Sequence, residues 1–168
     1  GLVKLSPDTR SNHAGYRYED PAILGFSHTR IGGVGCQGAG GTLKLQPAPT
    51  KTVRQSYAKA SEAAHPGFYG VQFDNGIEVE LTVDPYIGYH RYRFPKDRTF
   101  IHVDPGHNYG GGIRHKLQID SDRTLSGLVV GKNVCRHKYY QLYYAVEFSR
   151  AFVPNPSEEP ESGALWLE

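Results

Sequence analysis

Polar and acidic side chains are concentrated in a glycine-rich stretch from Gly15 to Gly41, which reads GYRYEDPAILGFSHTRIGGVGCQGAGG. Glycine lets the backbone turn tightly and lets other groups approach closely, and polar side chains on such loops commonly bind ligands. Glu19 and Asp20 form an acidic pair there. Glycosidases use two carboxylates across a sugar ring, but sequence neighbours rarely reach that separation. We expect one carboxylate to pair with Arg17 or Arg10, and the alternative is a contact to a sugar hydroxyl.

Two other motifs suggest chemistry that their spacing does not favour. Ser27 and His28 point to opposite sides of an extended chain, so they cannot act on each other as nucleophile and base. His28 fits better as a hydrogen-bonding residue in a pocket wall. His102, Asp104 and His107 are residue types that bind divalent metals. The sequence HVDPGH favours a strand end followed by a Pro-Gly turn over a metal site.

Phosphate and nucleic-acid binding are also disfavoured. The glycine runs at 32–35 and 38–41 lack the Lys-Ser/Thr pair and the strand-to-helix context of a phosphate loop. A basic, aromatic-interleaved set could hold single-stranded nucleic acid, but the net charge of only +2 argues against it. We expect an ordinary solvated strand face at that set, which comprises His90, Arg91, Arg93, His137 and Lys138.

The elements that must position these residues are nearly all strands. Gly (20), Pro (11) and Tyr (12) are abundant, which favours strands and turns. Strand patterns separated by hairpin signals predict an all-β fold, an antiparallel β-sandwich (supersandwich-like) with little helix. The one helix candidate is Ser56 to Ala64, with a loop containing one turn as the alternative. The predicted strands are 3–6, 41–46, 68–73, 77–83, 86–94, 99–103, 124–130 and 139–148, and the segment 105–112 is expected to be a flexible loop.

We expect one sandwich domain over residues 1–152 and a Pro/Glu-rich tail over 153–168. Its last two residues, Leu167 and Glu168, are typical of a cloning scar. Because the chain lacks an initiator Met and ends in Leu-Glu, it is interpreted as an excised piece. No apolar run approaches the roughly 20 residues of a membrane span, and no signal peptide is evident. Cys36 and Cys135 are expected to be two free or buried thiols, although one bridge remains open.

Taken together, an ordered set of segments resembles the amino-terminal β-sandwich domain of glycoside hydrolase family 92, whose members are calcium-dependent, exo-acting α-mannosidases. The similarity runs through nearly the whole chain. The segments are LSPDT (5–9), GYRYED (15–20), GFSHT (25–29), GVGC (33–36), HPGFYGVQF (65–73), IEVELTV (77–83), GYHRYRFP (88–95), VDPGH (103–107) and YYAVEFSR (143–150).

The resemblance implies a division of labour between two domains. In that family the sandwich packs on an (α/α)₆ barrel, which supplies most of the general acid, general base and calcium ligands. This chain would then be a fragment of an inverting exo-α-1,2-mannosidase that removes terminal α-mannose from mannosides or high-mannose glycans. Its implied partners are α-mannosides and the missing barrel, calcium would belong to the full-length parent, and the isolated chain would be inactive. Family habit suggests a secreted, periplasmic or cell-surface protein.

The resemblance also suggests which residues contact the sugar, and no catalytic or metal-binding residue is expected in this chain. Hydrogen bonds to hydroxyls, stacking on the pyranose and contact at the pocket floor are the expected roles. The candidate substrate-binding residues are Arg10, Glu19, Asp20 and His28 for hydrogen bonds, Tyr16 for stacking and Cys36 for the floor. Two alternatives remain open: an autonomous carbohydrate-binding, lectin-like module, and a purely structural domain.

Overall fold

The computed structural model describes residues 3–10, 15–29, 40–95, 99–109, 111–132, 139–155 and 163–168. The strands are antiparallel wherever they pair, which confirms the all-β prediction. No helix in the described ranges is long and apolar enough to cross a membrane. In chain order the strands are β1 Ser6–Asp8, β2 Ala22–Ile23, β3 Gly25–His28, β4 Thr42–Ala48, β5 Gln55–Ser56, β6 Ala63–His65, β7 Phe68–Gln72, β8 Glu78–Val83, β9 Gly88–Arg93, β10 Phe100–Asp104, β11 Gly112–Ile119, β12 Thr124–Lys132, β13 Tyr139–Glu147 and β14 Leu165–Leu167.

A five-stranded sheet and a three-stranded sheet pack face to face. The five-stranded sheet has the order β1-β3-β4-β10-β14, and the three-stranded sheet has the order β11-β12-β13. Leu45 and Val103 from the larger sheet meet Leu125 from the smaller one in a shared apolar cluster. Because each strand turns alternate side chains to opposite faces, the larger sheet keeps its polar residues on the other face.

A four-stranded sheet, β6-β7-β8-β9, covers a second core built around Phe26. Its central hairpin turns at Asp74–Gly76 as the sequence predicts: Gly76 has a φ of 88°, and Asn75 Oδ1 accepts the backbone N–H of Ile77 at 3.1 Å. Ile77 is fully buried, and Val79 and Leu81 line the core with it. Val83, which continues the same alternation of apolar residues, is 38% exposed because it lies at the far end of the hairpin.

Strand β9 corrects the predicted assignment of its faces. The sequence predicts that His90 lies on one solvated strand face with Arg91 and Arg93. In the structure His90 points inward beside Tyr92. Arg91 and Arg93 face outward, where they pair with the cross-strand partners Glu80 and Glu78. The solvated strand face is confirmed for these two arginines, while His137 and Lys138 lie outside the described residues.

The segment predicted as a helix does not form one. Residues 56–64 contain the end of β5, a single 3-10 turn at Lys59–Ser61 and the start of β6, so the interpretation as a loop with one turn is confirmed. Strand pairing decides the outcome, because Ser56 pairs with Ala22 and Ala63 pairs with Gly70. Isolated segments this short are weak helices in any case.

The first strand and β11 also depart from the prediction, and β2, β3, β5 and β6 are short strands that the predicted set did not include. The first strand is Ser6–Asp8 rather than 3–6, and it includes Pro7, which an edge strand tolerates. Strand β11 was not predicted, although Arg114, Lys116 and Gln118 alternate there with less polar residues. It pairs with β12 along most of its length.

Part of the predicted tail belongs to the larger sheet. Strand β14 pairs with β10 through Leu167 with Ile101 and Trp166 with His102. Trp166 is 6% exposed and Leu167 only 2%. Leu165–Leu167, predicted to lie in the Pro/Glu-rich tail, complete the sheet and its core through their alternating apolar side chains.

The burial of Leu167 predicts a measurable loss of stability when its side chain is shortened to alanine. Leu167→Ala is expected to lower the free energy of unfolding by about 2 kcal/mol, the low end for a buried leucine because β14 is an edge strand. Urea unfolding followed by tryptophan fluorescence measures this change. Glu168→Ala, at an exposed neighbour, should leave the midpoint unchanged. Equal midpoints for the parent chain and Leu167→Ala would show that β14 does not dock.

Candidate functional site

The pairing of β3 with β4 is interrupted at a bulge that holds His28. The register shifts between Ser27 and His28. In the described chain, the only non-glycine residues with positive φ are Thr29 (55°) and Leu43 (53°), and both flank this bulge. Such backbone conformations cost energy and cluster at functional sites. The bulge is therefore the first structural sign of a site in this part of the fold.

Both ring nitrogens of His28 are used inside the protein. Its Nδ1 lies 2.7 Å from the carbonyl oxygen of Leu43, which can only accept, so this nitrogen carries a proton and donates. The His28 Nε2 of the neutral ring then accepts from His90 Nε2 at 3.0 Å. His90 Nδ1 in turn accepts the hydroxyl proton of Tyr92 at 2.7 Å. Each hydrogen bond thus determines the direction of the next.

This chain of hydrogen bonds favours two neutral histidines. Burial lowers the pKa of His28, although its bond to Leu43 and the charge of Asp8 oppose the shift. Burial and the neighbouring His28 place the pKa of His90 well below the usual value. With both nitrogens engaged, His28 reaches a ligand here only through its carbon edge. Its role in sugar binding stays a prediction.

Arg10 and Asp20 form a two-point ion pair. Arg10 Nε lies 2.9 Å from Asp20 Oδ2, and Nη2 lies 3.3 Å from Oδ1. The hydroxyl of Thr9 donates to the same Oδ2 at 2.8 Å. Hydrogen bonds from Arg10 and Thr9 lower the pKa of Asp20. The side chains remain 32% and 19% exposed, so this fixed fork of donors and acceptors reaches solvent.

Tyr109, within the predicted flexible loop, ties three segments together. Its hydroxyl donates to the carbonyl oxygen of Arg10 at 2.8 Å, and its backbone N–H donates to the carbonyl oxygen of Gly40 at 3.0 Å. Its ring fills the place of a side chain on Gly41, where a Cβ would lie 2.5 Å from Tyr109 Cδ2. Tyr109 therefore fixes the backbone of Arg10 through the hydrogen bond to its carbonyl oxygen.

Next to Tyr109 lies a buried group of charges on the polar face of the five-stranded sheet. His107 Nε2 is 3.2 Å from Asp8 Oδ2, and Asp8 is fully buried. Lys44 Nζ lies 3.4 Å from both His107 Nδ1 and Asp104 Oδ2. Lys44 thus already supplies the positive charge that a metal ion would bring, and the donor set does not fit a cation. No group of three or more His, Cys, Asp or Glu side chains among the described residues is placed to hold one.

The side chains of Tyr16 and Glu19 contact partners other than the Arg10–Asp20 pair. Tyr16 donates its hydroxyl to Glu62 Oε2 at 2.8 Å, which anchors its ring inside the protein. Glu19 accepts from Arg17 Nε at 2.8 Å on an exposed part of the turn. The ion-pair expectation for the acidic pair is confirmed twice, since each carboxylate has its own arginine.

The structure brings together only some of the predicted residues. Arg10 and Asp20 are in direct contact, Tyr16 and Glu19 lie on the same turn with different partners, and His28 lies on the bulge. Cys36, like Cys135, lies outside the described residues. Sequence reasoning missed three supporting residues whose partners are 43 to 99 positions away, namely Lys59, His90 and Tyr109.

Comparisons with known proteins agree with this architecture. Residues 1–155 match the Glycosyl hydrolase family 92 N-terminal domain. The family 92 glycosyl hydrolase ccman5 superposes with a TM-score of 0.80 at 30% identity over 92% of this chain and 24% of its own. An inverting family 92 mannosidase from Bacteroides thetaiotaomicron shares the fold, with a TM-score of 0.78 at 19% identity over 99% of this chain and 25% of its own.

A curated relative points in the same direction. It is an uncharacterised secreted glycosidase from Arthroderma benhamiae, 26% identical over 59% of this chain and 15% of its own length. The chain thus spans a quarter or less of the relatives that it matches. The family match covers most of the sequence, and the fold agrees with those of the two solved relatives. The chain belongs to the N-terminal domain family of the family 92 glycosyl hydrolases.

Proposed function

We propose that this domain forms one wall of the sugar site of an exo-acting, inverting α-1,2-mannosidase, and that its Arg10–Asp20 pair binds the terminal α-mannose. The observation that carries the proposal is the partly exposed, two-point ion pair, held by Thr9 and Tyr109. A guanidinium has five N–H donors, and Asp20 uses two of them. The remaining donors and the carboxylate lone pairs match the alternating donors and acceptors of neighbouring sugar hydroxyls.

The wall positions the sugar and does not carry out the bond cleavage. An inverting glycosidase needs an acid with a raised pKa and a base about 6.5–9.5 Å away. Asp20 is unsuited to the acid role, because Arg10 and Thr9 lower its pKa. Asp8 is fully buried behind His107. We therefore assign the acid, the base and the calcium ligands to the catalytic domain of the full-length protein.

Two further aspects of the proposal follow from the relatives and the surface. Secretion is supported by the description of the Arthroderma protein as a secreted glycosidase.

The tip of the β8–β9 hairpin exposes Tyr86 (79%) and Ile87 (50%), while Asp84 Oδ1 accepts both of their backbone N–H groups at 2.8 Å. A rigid apolar tip of this kind suits a contact with the rest of the polypeptide.

Removing Arg10 tests the proposal. In the full-length protein, Arg10→Ala is expected to lower kcat/KM for α-1,2-mannobiose by about 10- to 100-fold, the cost of lost hydrogen bonds to a charged group. Arg91→Ala, which breaks a surface ion pair with Glu80 on the outer sheet face, is the matched control and should leave kcat/KM within about twofold. Kinetics unchanged by Arg10→Ala would remove the pair from the sugar site.

Calorimetry separates this function from the carbohydrate-binding module. The exposed tyrosines of β13, Tyr139 (70%) and Tyr143 (73%), are the feature that favours the module, because sugars stack on such rings. Sub-millimolar binding of mannose or α-1,2-mannobiose by the 168-residue chain, abolished by Tyr143→Ala and unaffected by Arg10→Ala, would support the module instead. Absence of binding by the isolated chain agrees with a site completed by the catalytic domain.

A further inference from the structure

The turn at residues 15–20, which carries Asp20, contacts Lys59, and this lysine lies close to three tyrosine rings. Lys59 Nζ lies 4.5 Å from the ring centre of Tyr57, 4.8 Å from that of Tyr18 and 5.1 Å from that of Tyr16. It also donates to the hydroxyls of Tyr57 and Tyr16. A cation held over several aromatic faces gains from each of them. Two of the three rings belong to the turn itself.

Glu62 completes this cluster from the other side. Its Oε2 accepts the Tyr16 hydroxyl at 2.8 Å, and its Oε1 accepts the Tyr69 hydroxyl at 2.7 Å. Its Oε2 also lies 3.5 Å from Lys59 Nζ. Both carboxylate oxygens are therefore used, and the side chain is only 10% exposed. Through Tyr69 the turn is connected to strand β7 of the four-stranded sheet.

We propose that Lys59 and Glu62 are positioning residues for the sugar-binding Arg10–Asp20 pair, an inference that rests on the proposed function. They fix Tyr16 and Tyr18, and the turn then presents Asp20 to Arg10. Desolvation acts against the charge on Lys59, but its bonds to the tyrosine hydroxyls and the charge of Glu62 outweigh it, so the pKa of Lys59 is raised. The cation that holds the turn therefore persists at neutral pH.

Backbone hydrogen bonds also anchor the turn: the Gly15 carbonyl accepts the N–H groups of Thr9 and Arg10 at 2.7 and 3.0 Å, and Arg17 N–H donates to the Thr9 hydroxyl at 2.8 Å. Arg17, Tyr18 and Glu19 are exposed, so little apolar burial holds the centre of the turn. Within the turn, Asp20 N–H donates to the Arg17 carbonyl at 3.2 Å. After the turn, Tyr57 N–H donates to the Pro21 carbonyl at 3.3 Å. These bonds set the path of the chain after Asp20. Among the described contacts, the Lys59–Glu62 cluster is what holds the aromatic side chains of Tyr16 and Tyr18.

The test uses Lys59→Met, which keeps the stem and removes the charge, in the full-length protein. The substitution is expected to lower kcat/KM for α-1,2-mannobiose about fivefold or more, mainly by raising KM, because the sugar-binding pair is displaced while the catalytic groups are intact. Lys59→Arg, which keeps the cation, should restore at least half of the activity. Lys51→Met, at an exposed lysine, is the control and should match the parent.

Two further measurements separate positioning from a general loss of stability. Amide hydrogen exchange at residues 15–20 should accelerate in Lys59→Met, while exchange in β7 and β8 stays at the parental rate. In an Arg10→Ala background, Lys59→Met should have no further effect on kcat/KM, since the pair that it positions is already broken. The inference fails if the losses of kcat/KM caused by Arg10→Ala and Lys59→Met multiply in the double variant. It also fails if amide exchange in Lys59→Met accelerates throughout the chain, because Lys59 would then have a structural role only.

The outcomes also distinguish this inference from the function on which it rests. If Arg10→Ala lowers kcat/KM and Lys59→Met does not, the positioning role is overturned and the sugar wall stands. If Arg10→Ala has no effect, the sugar wall itself is overturned. Glu62→Gln provides a second route to the same cluster and should accelerate exchange at residues 15–20 in the same way.

Discussion

Alanine at Gly127 is expected to lower the free energy of unfolding by at least about 3 kcal/mol, enough to leave much of the chain unfolded. A Cβ at this position would lie 2.1 Å from the carbonyl oxygen of Lys116 and 2.3 Å from the hydroxyl of Tyr144. Tyr144 pairs with Gly127 across β12 and β13 and donates its hydroxyl to that same carbonyl at 3.0 Å. The Lys116 carbonyl is a backbone group of the paired strand β11, so it cannot move away without breaking the three-stranded sheet.

The measurement is chemical denaturation of the 168-residue chain, followed by circular dichroism. Gly112→Ala is the matched control: it lies on the neighbouring strand β11, has no positive φ, and its nearest atom would be the Gly106 oxygen at an ordinary 3.4 Å. It should change the unfolding free energy by no more than about 0.5 kcal/mol. A Gly127→Ala protein as stable as Gly112→Ala would show that Tyr144 does not lie across β12.

Acidification is expected to destabilise the chain through His28 and His90. Both have a pKa lowered in the folded state, so between the ordinary value near 6.5 and the folded values the unfolded chain binds more protons. Stability from these groups is therefore complete above about pH 6.5 and is lost as the pH falls below it. Two such groups set an upper limit of about 3 kcal/mol on the loss between pH 7.5 and 5.5.

Urea unfolding at a series of pH values measures this loss, and His90→Gln assigns it. Glutamine keeps an amide donor for His28 Nε2 but cannot take up a proton, so the slope of stability against pH should fall by about half. His65→Gln, at an exposed histidine whose ring rests on Phe68, should leave the slope unchanged. Identical slopes for the parent chain and His90→Gln would contradict the assignment of two neutral, hydrogen-bonded histidines.

The sequence predicts elements well where the signal is local. The hairpin from Phe68 to Val83 follows from a turn triplet and a strict alternation, and both are present in the structure. Strand β11 has the same kind of alternation, so attention to Arg114, Lys116 and Gln118 would have found it. Strand β14 has only three residues after an acidic, proline-rich run, and its identity depends on β10, some 60 positions earlier.

The candidate site is harder to predict because its partners are far apart in the chain. The ion pairing of Glu19 and Asp20 could be inferred, since the arginines lie within ten residues. The partners of Tyr16 and His28 could not be inferred. Glu62 reaches Tyr16, and His90 reaches His28, only in the folded structure. Local pattern identifies a polar residue in such cases, and tertiary structure decides whether it faces a ligand or the protein.

The position of β14 in the larger sheet has a consequence for synthesis on the ribosome. Strand β10 leaves one edge unpaired until Leu165–Leu167 have been added, about 60 residues after Asp104. At about 5–20 residues per second, this edge waits for roughly 3–12 s with its backbone groups open. Such an edge can recruit a strand from another nascent chain. A binding partner that shields β10 during translation would therefore raise the yield of folded protein.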